Sequence, residues 1–124
     1  MENDIKLRAA LKLTVIVDGD QKYARRRLYK AVQDALLNCD IGGFTMIRGI
    51  ESFGASRVIH SLRNEVTMSS LPFVIEAAGD ERNIRQAARM IAEMLGAKGL
   101  VQIQPTLVLP AKRITDREEA KNAR

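Results

Sequence analysis

Residues 71–96 read LPFVIEAAGDERNIRQAARMIAEMLG and contain the clearest strand and helix of this chain. Residues 71–78 are an apolar run of strand length, and Asp80 is a favourable N-cap for a helix that follows. An apolar stripe then recurs at helical spacing and comprises Ile84, Ala87, Ala88, Ile91, Met94 and Leu95. Gly96 ends this pattern, as glycine commonly does after a helix. The stretch predicts a strand followed directly by an amphipathic helix.

The first half of the chain repeats this order. Residues 11–18 alternate between apolar and mixed positions, which predicts a half-buried strand. A helical period begins near Lys22, and its apolar stripe is Leu28, Ala31, Val32, Ala35, Leu36 and Cys39. Glycines at positions 42 and 43 end it.

Two further strands complete the pattern, at residues 44–48 and 99–109. Pro105 interrupts the last one, which predicts an edge strand or a bulge there. The order βαββαβ predicts an α+β, ferredoxin-like fold: a four-stranded antiparallel sheet with two helices on one face. The uncovered face would carry Thr14, Ile16, Val74 and Met46. It is more apolar than a solvated face, which predicts a homo-oligomer that packs through it.

Composition excludes several classes of protein. The 124 residues are 46% hydrophobic and 28% charged, which is typical of one globular domain. We expect a single domain over residues 1–110 and a charged tail over residues 111–124. Cys39 is the only cysteine, so an intrachain disulfide is impossible and a packing role is expected. The first residues are polar and no apolar run approaches the ~20 residues of a membrane span, so we expect a cytoplasmic protein.

A specific string follows the second predicted strand. Arg48-Gly49-Ile50 is followed by Phe53-Gly54 and by Ile59-His60, and residues 71–76 read LPFVIE. This combination resembles the family catalogued as domain of unknown function 190, a PII-like group, over about residues 11–108. The family usually has glycine at the position of Ser52. The run Arg25-Arg26-Arg27 is also more basic than the family pattern leads us to expect.

The resemblance implies a compact ferredoxin-like homotrimer whose sheets face inward. Such proteins bind small effectors in clefts between subunits, commonly adenine nucleotides, so ATP, ADP or AMP is the expected effector and no cofactor is required. A long loop between the second and third strands, here residues 50–70, contacts a target protein such as a membrane transporter. Loops of this length are uncommon in compact domains and are usually functional or disordered.

Candidate nucleotide-binding residues lie in this string and in two other places. Arg48 offers a rigid fork of donors for phosphate, and Gly49 lets a ligand approach the backbone. Lys98 lies between two glycines after the second predicted helix, where it can hold a phosphate as a point charge. The full candidate set is Arg48, Gly49, Ile50, Glu51, Phe53, Gly54, Ser56, Lys98, Gly99 and Lys22.

The basic run at residues 22–30 leaves an alternative open. It contains Lys22, Arg25, Arg26, Arg27 and Lys30 without an acid, at the predicted start of a helix where cations are disfavoured. The net charge of +5 and the fold order fit a nucleic-acid-binding module that uses this run. Against this reading, RNA-binding domains of this fold stack bases on aromatic residues in central strands, and residues 11–18 have none. We therefore expect no nucleic-acid partner.

Catalysis and metal binding find little support in the sequence. His60 is the only histidine and Cys39 the only cysteine, so a structural zinc site lacks enough ligands. No nucleophile elbow and no paired carboxylates near a cleft are found, and Ser56 and Ser61 have no such context. We expect a protein without enzymatic activity, without a catalytic residue and without a metal site.

Overall fold

The computed structural model describes residues 6–53, 59–61 and 71–109, and for residues 51–53 and 59–61 it describes the backbone alone. The larger elements are β1 (Arg8–Asp18), α1 (Leu28–Asn38), β4 (Thr45–Arg48), β7 (Pro72–Gly79), α2 (Glu81–Leu95) and β8 (Gly99–Val108). Four short strands lie between them: β2 (Lys22–Tyr23), β3 (Arg26–Arg27), β5 (Glu51–Phe53) and β6 (Ile59–Ser61).

The main sheet has four antiparallel strands in the order β4-β7-β1-β8. With α1 and α2 against one face, this is the predicted ferredoxin-like βαββαβ arrangement. The predicted strand at residues 11–18 is three residues longer than expected at its start. The predicted tail at residues 111–124 lies outside the described residues.

The core lies between the sheet and the two helices. The alternating residues Leu13, Val15 and Val17 of β1 are at most 1% exposed. They pack with the apolar stripes of both helices, in which Leu28, Val32, Leu36, Ile84 and Ile91 are completely buried. Burial of each such side chain stabilises the fold by about 1.5–3 kcal/mol, so this layer determines the architecture.

The start of the first helix differs from the prediction. α1 begins at Leu28 rather than near Lys22, and residues 22–27 form a small hairpin in which β2 pairs with β3. Leu28 is the first residue of the stripe that reaches the core, so the residues before it have no apolar face that a helix would bury. The hairpin is closed at its base because the Leu28 N–H donates to the Gln21 carbonyl at 2.8 Å.

The connection between β4 and β7 contains a second small hairpin. Strand β5 pairs with β6, so that Glu51, Ser52 and Phe53 lie opposite Ser61, His60 and Ile59. These short strands have no clear apolar period, so local periodicity does not indicate them.

The open face of the sheet carries one apolar row. Register places Ile47 beside Val74, Val74 beside Ile16, and Ile16 beside Leu100, so the row crosses all four strands. Ile47 is 53% and Leu100 47% exposed. The predicted residues Thr14, Ile16 and Val74 share this face. Met46 does not: it pairs with Ile75 on the helix face and packs against the core, so its assignment to the open face was wrong.

Two smaller expectations concern β8 and Cys39. Strand β8 is an edge of the sheet and continues through Pro105, as predicted for an edge strand. Cys39 is 4% exposed, its Sγ lies 3.5 Å from the Sδ of Met90, and it belongs to the core, as expected for a packing role. Within the described residues, neither helix combines the length and the hydropathy required to cross a bilayer.

Candidate functional site

Three connections meet at one end of the main sheet, which we call the loop end. Strands β1 and β4 finish here and strands β7 and β8 begin here, because Arg48, Phe73, Val17 and Gly99 form one row across the sheet. The connections that leave this end contain the basic hairpin, the segment after Arg48, and the turn with Lys98. The fold therefore brings the three predicted basic groups to the same end of the sheet.

Arg48 lies at the last position of β4 on the helix face. Its guanidinium carbon is 4.4 Å from the centroid of the Phe73 ring, and the Phe73 ring is 4.4 Å from the centroid of the Tyr29 ring. Its Nε is buried and has no hydrogen-bond partner among the described residues. A buried donor without an acceptor costs about 1–3 kcal/mol, so the packing at this end of the sheet leaves a polar group unsatisfied.

Gly49 has a packing role that the sequence did not reveal. Its N–H donates to the Pro72 carbonyl at 2.7 Å, so this donor is used within the chain. A Cβ on Gly49 would lie 2.7 Å from the Cγ of Pro72, a distance that side chains do not tolerate without a shift. Glycine at this position thus lets the backbone after Arg48 approach β7 closely and fixes the direction in which the chain leaves the sheet.

The turn with Lys98 lies at the opposite edge of the sheet from Arg48. Gly96 ends α2 with a φ of 54°, and the Lys98 N–H donates to the Leu95 carbonyl at 2.8 Å. The Lys98 side chain is exposed. Gly99 pairs with Val17 as the first residue of β8. Two strands separate Gly99 from Arg48, which corresponds to about 14 Å at the usual strand spacing.

Lys22 begins the basic hairpin at the loop end, and its side chain is exposed. The hairpin is anchored by two neighbouring arginines. Arg26 makes an ion pair of 2.6 Å with Asp34 of α1, and Arg27 donates to the Gly19 carbonyl at 3.5 Å. Asp34 supplies a negative charge that the basic run itself lacks.

The remaining candidates follow Arg48 along the chain. Ile50 is 72% exposed, which leaves it free for contact with a ligand or a second subunit. The structure describes the backbone of Glu51 and Phe53 in β5, and Gly54 and Ser56 lie outside the described residues. His60 is the central residue of β6.

Metal and nucleophile chemistry have no visible basis in the described part of the chain. No group of three His, Cys, Asp or Glu side chains within it is placed to hold a metal ion. Burial raises the pKa of the Cys39 thiol, which keeps it protonated and disfavours a reactive thiolate.

Phe73, Tyr29 and Pro72 are site residues that sequence reasoning missed. Residues 71–76 resemble a family string that reads Leu-Pro-x-Val-Ile-Glu, and Phe73 stands at its variable position, so the resemblance does not single it out. Tyr29 could be expected either to stack on a base or to cover apolar surface, and it is partly buried against the core. Their contact with Arg48 depends on strand pairing between distant segments, which local periodicity does not reveal.

Comparison with known proteins identifies the family of this chain. A model of the family DUF190, described as "Uncharacterized ACR", matches residues 10–108. The chain belongs to this family. This confirms the resemblance, and the match covers both helices and nearly all of the main sheet.

Solved structures with the same fold are PII-like proteins. The nitrogen regulatory PII-like protein CPII from Thiomonas intermedia K12, bound to ADP, AMP and bicarbonate, superimposes with a TM-score of 0.70 at 19% identity. The match covers 86% of this chain and 94% of that one. A PII-like signaling protein from Thermus thermophilus has a TM-score of 0.54 at 12% identity, and the match covers 83% of this chain and 92% of that one. B. subtilis GlnK in complex with ATP has a TM-score of 0.53 at 8% identity, and the match covers 79% of this chain and 82% of that one. Because the sequence identities are low, these matches show that the DUF190 chain shares the fold of PII-like proteins.

Proposed function

We propose that this DUF190 protein is a non-enzymatic regulator of the PII-like kind. It binds an adenine nucleotide in clefts between the subunits of a homotrimer. Family membership and the fold shared with CPII and GlnK support this proposal, since those two proteins were solved with ADP, AMP or ATP. The observation that carries it for this chain is the position of Arg48 and Lys98 at the same end of the sheet but at opposite edges.

The apolar row on the open face supports the oligomer. Water contact with Ile47 and Leu100 is unfavourable in an isolated chain, and contact with a second sheet would remove it. When three sheets close into a ring with these faces inward, the β4 edge of each subunit lies beside the β8 edge of the next. Such head-to-tail contacts form a closed ring of three when neighbouring subunits are related by one third of a turn.

This ring places the two halves of the site together. Arg48 of one subunit contacts the phosphates through the terminal nitrogens of its guanidinium group. Lys98 and Gly99 of the neighbouring subunit approach the same phosphates from the β8 edge. Lys22 provides a third positive charge at the loop end. Residues Ile50, Glu51, Phe53, Gly54 and Ser56 lie along the chain after Arg48 and complete the cleft.

The segment 50–70 leaves the site directly after Gly49, so it responds to nucleotide occupancy and contacts a target protein, for example a transporter. In this proposal the protein acts in the cytoplasm. The close contact between Gly49 and Pro72 supports the link, because it holds the start of the segment next to the Arg48 side chain.

The open face of the sheet argues against the nucleic-acid alternative. RNA-recognition domains of this fold stack bases on aromatic rings of the sheet. The described strands place Thr14, Ile16, Val74 and Glu76 on the central open face, and no aromatic ring among the described residues shares it. The protein is therefore expected to bind nucleotides rather than nucleic acid.

Calorimetric titration with ATP, ADP, AMP and cyclic AMP at 150 mM salt tests the proposal, together with light scattering for the oligomeric state. We expect a trimer that binds close to one nucleotide per subunit. Arg48→Ala should weaken binding about tenfold or more, because a charged hydrogen bond contributes about 1.5–3 kcal/mol. The matched control is Arg89→Ala on the exposed side of α2, which should bind as the wild type. A monomer, or a trimer that binds none of the four, contradicts the proposal.

A further inference from the structure

The basic hairpin at residues 22–27 is longer than the fold requires. It lies between β1 and α1, and the hydrogen bond from Leu28 to Gln21 brings its two ends together. The equivalent connection in the second half of the chain, from β7 to α2, is the single residue Asp80. A strand and its helix can thus be joined here without a hairpin, so its presence needs another explanation.

The turn of this hairpin has a strained backbone. Its two central residues, Ala24 and Arg25, have φ angles of 50° and 72°. Two-residue hairpin turns with positive φ at both positions favour Asn and Gly, because a Cβ makes left-handed backbone unfavourable. The chain nevertheless has Arg25 at the second position. Strain of this kind is typically retained where the position of a side chain matters for binding.

The charges of the hairpin divide into two groups. Arg26 and Arg27 fasten it to Asp34 and to the Gly19 carbonyl. Arg25 at the tip and Lys22 at the base are exposed, and neither has an ion pair among the described residues. Tyr23, which pairs with Arg26 directly below the turn, is 43% exposed. The hairpin therefore presents an arginine and a tyrosine on a short anchored turn.

We propose that this hairpin is a docking surface for an acidic segment of a partner protein, with Arg25 and Tyr23 as its main contacts. Arg and Tyr are enriched among the residues that dominate protein interfaces. Nucleic acid fits less well, because it needs a basic groove that follows several successive phosphates and this hairpin has strands of two residues each. The proposal does not depend on nucleotide binding.

Arg25→Gly tests the proposal, because it removes the charge and relieves the strain at the same position. The probe is a fluorescein-labelled peptide of ten glutamates, followed by anisotropy at 50 and 300 mM salt. We expect Arg25→Gly to weaken peptide binding about fivefold at low salt, while its melting temperature stays equal to that of the wild type or rises. A merely structural role for Arg25 would lower the melting temperature instead.

Ala24→Gly is the matched control, since it relieves strain in the same turn and retains the charge. It should raise the melting temperature to a similar extent and bind the peptide within about twofold of the wild type. Equal peptide affinity of the two variants would overturn the proposal. So would a single-stranded DNA of twenty nucleotides that binds more tightly than the peptide and is weakened by Arg25→Gly, since it would assign the surface to nucleic acid. Nucleotide titration of Arg25→Gly should match the wild type, which separates this proposal from the preceding one.

Discussion

The two ends of the main sheet differ although the βαβ repeat places one strand-to-helix and one helix-to-strand connection at each. At the end opposite the loop end, α1 joins β4 through a short connection in which Cys39 and Ile41 are 4% and 6% exposed. Asp80 alone joins β7 to α2 there. At the loop end the equivalent connections contain a strained basic hairpin and an exposed Lys98, and the segment after Arg48 also leaves the sheet there.

This difference separates residues that build the fold from residues that are available for function. The connections opposite the loop end are short and bury apolar side chains, which is what closing a core requires. The loop end retains an Arg48 Nε without a hydrogen-bond partner among the described residues, which reduces stability. Left-handed backbone occurs at both ends, at Ala24 and Arg25 in the hairpin and at Asp40 opposite it, and aspartate tolerates this backbone better than alanine or arginine. In our proposal the loop end is therefore the ligand-binding end.

The largest loss of stability is expected for a substituted glycine at the loop end, compared with a glycine near the opposite end. Gly99→Ala places a Cβ 2.5 Å from the Ile16 carbonyl oxygen and 2.8 Å from the Cδ2 of Leu95. We expect the free energy of unfolding to fall by about 2–3 kcal/mol, which urea denaturation measures. Gly43→Ala near the opposite end is the control, because a Cβ on Gly43 would meet nothing within 4 Å. Equal stability of both variants would show that the loop end is not closely packed at β8.

Phe73→Leu tests the stack that holds Arg48. It keeps a buried apolar side chain but removes the ring between Arg48 and Tyr29. We expect a loss of about 1–2 kcal/mol in unfolding free energy, together with weaker binding of ADP and unchanged binding of adenosine. Arg48 contacts phosphate in this account, so an equal loss for adenosine would show that Phe73 acts elsewhere in the site.

Replacement of residues 22–27 by Asn-Gly tests whether the fold needs the hairpin. The hydrogen bond between Leu28 and Gln21 brings the two ends close enough for a two-residue turn. We expect unfolding free energy within about 1 kcal/mol of the wild type, because the lost Arg26–Asp34 ion pair is half exposed and the strained turn is also removed. Failure of this variant to fold would contradict the division between the two ends.

The smallest effect concerns Cys39 opposite the loop end. Burial raises the pKa of its thiol in the folded state, so folding favours the protonated form. The contribution of this thiol to the free energy of unfolding is complete below its pKa in the unfolded chain, about 8.5. It is lost as pH rises through the pKa of the thiol in the folded protein. Stability should therefore decrease in alkaline solution, and less steeply in Cys39→Ala. Parallel stability curves for the two proteins between pH 8 and 10 would contradict this.

Sequence patterns predict the parts of the molecule that bury apolar side chains. The alternation in residues 11–18 and the stripe from Ile84 to Leu95 identify β1 and α2, because burial imposes these periods. The basic hairpin escapes prediction because its strands have two residues each and its turn lacks Asn and Gly. Met46 was placed on the wrong face because Ile47 is also apolar, so alternation does not fix the direction of this short strand.

The candidate site was predictable only in its chemistry. Arg48 and Lys98 are basic residues next to glycines, which the sequence shows directly. Arg48 and Lys98 lie at opposite edges of the sheet and at the same end of it, because strands far apart in the chain pair with one another. The contact of Arg48 with Phe73 has the same cause. A local pattern does not contain that information.

Mixing Arg48→Ala and Lys98→Ala chains tests whether each nucleotide site is shared between neighbouring subunits. Each variant alone should bind nucleotide poorly. When equal amounts are unfolded together and refolded, about one quarter of the clefts will combine an intact Arg48 with an intact Lys98 from the next subunit. We expect calorimetric binding at wild-type affinity with about 0.25 nucleotides per subunit. Mixed protein that binds no better than either variant alone would contradict it.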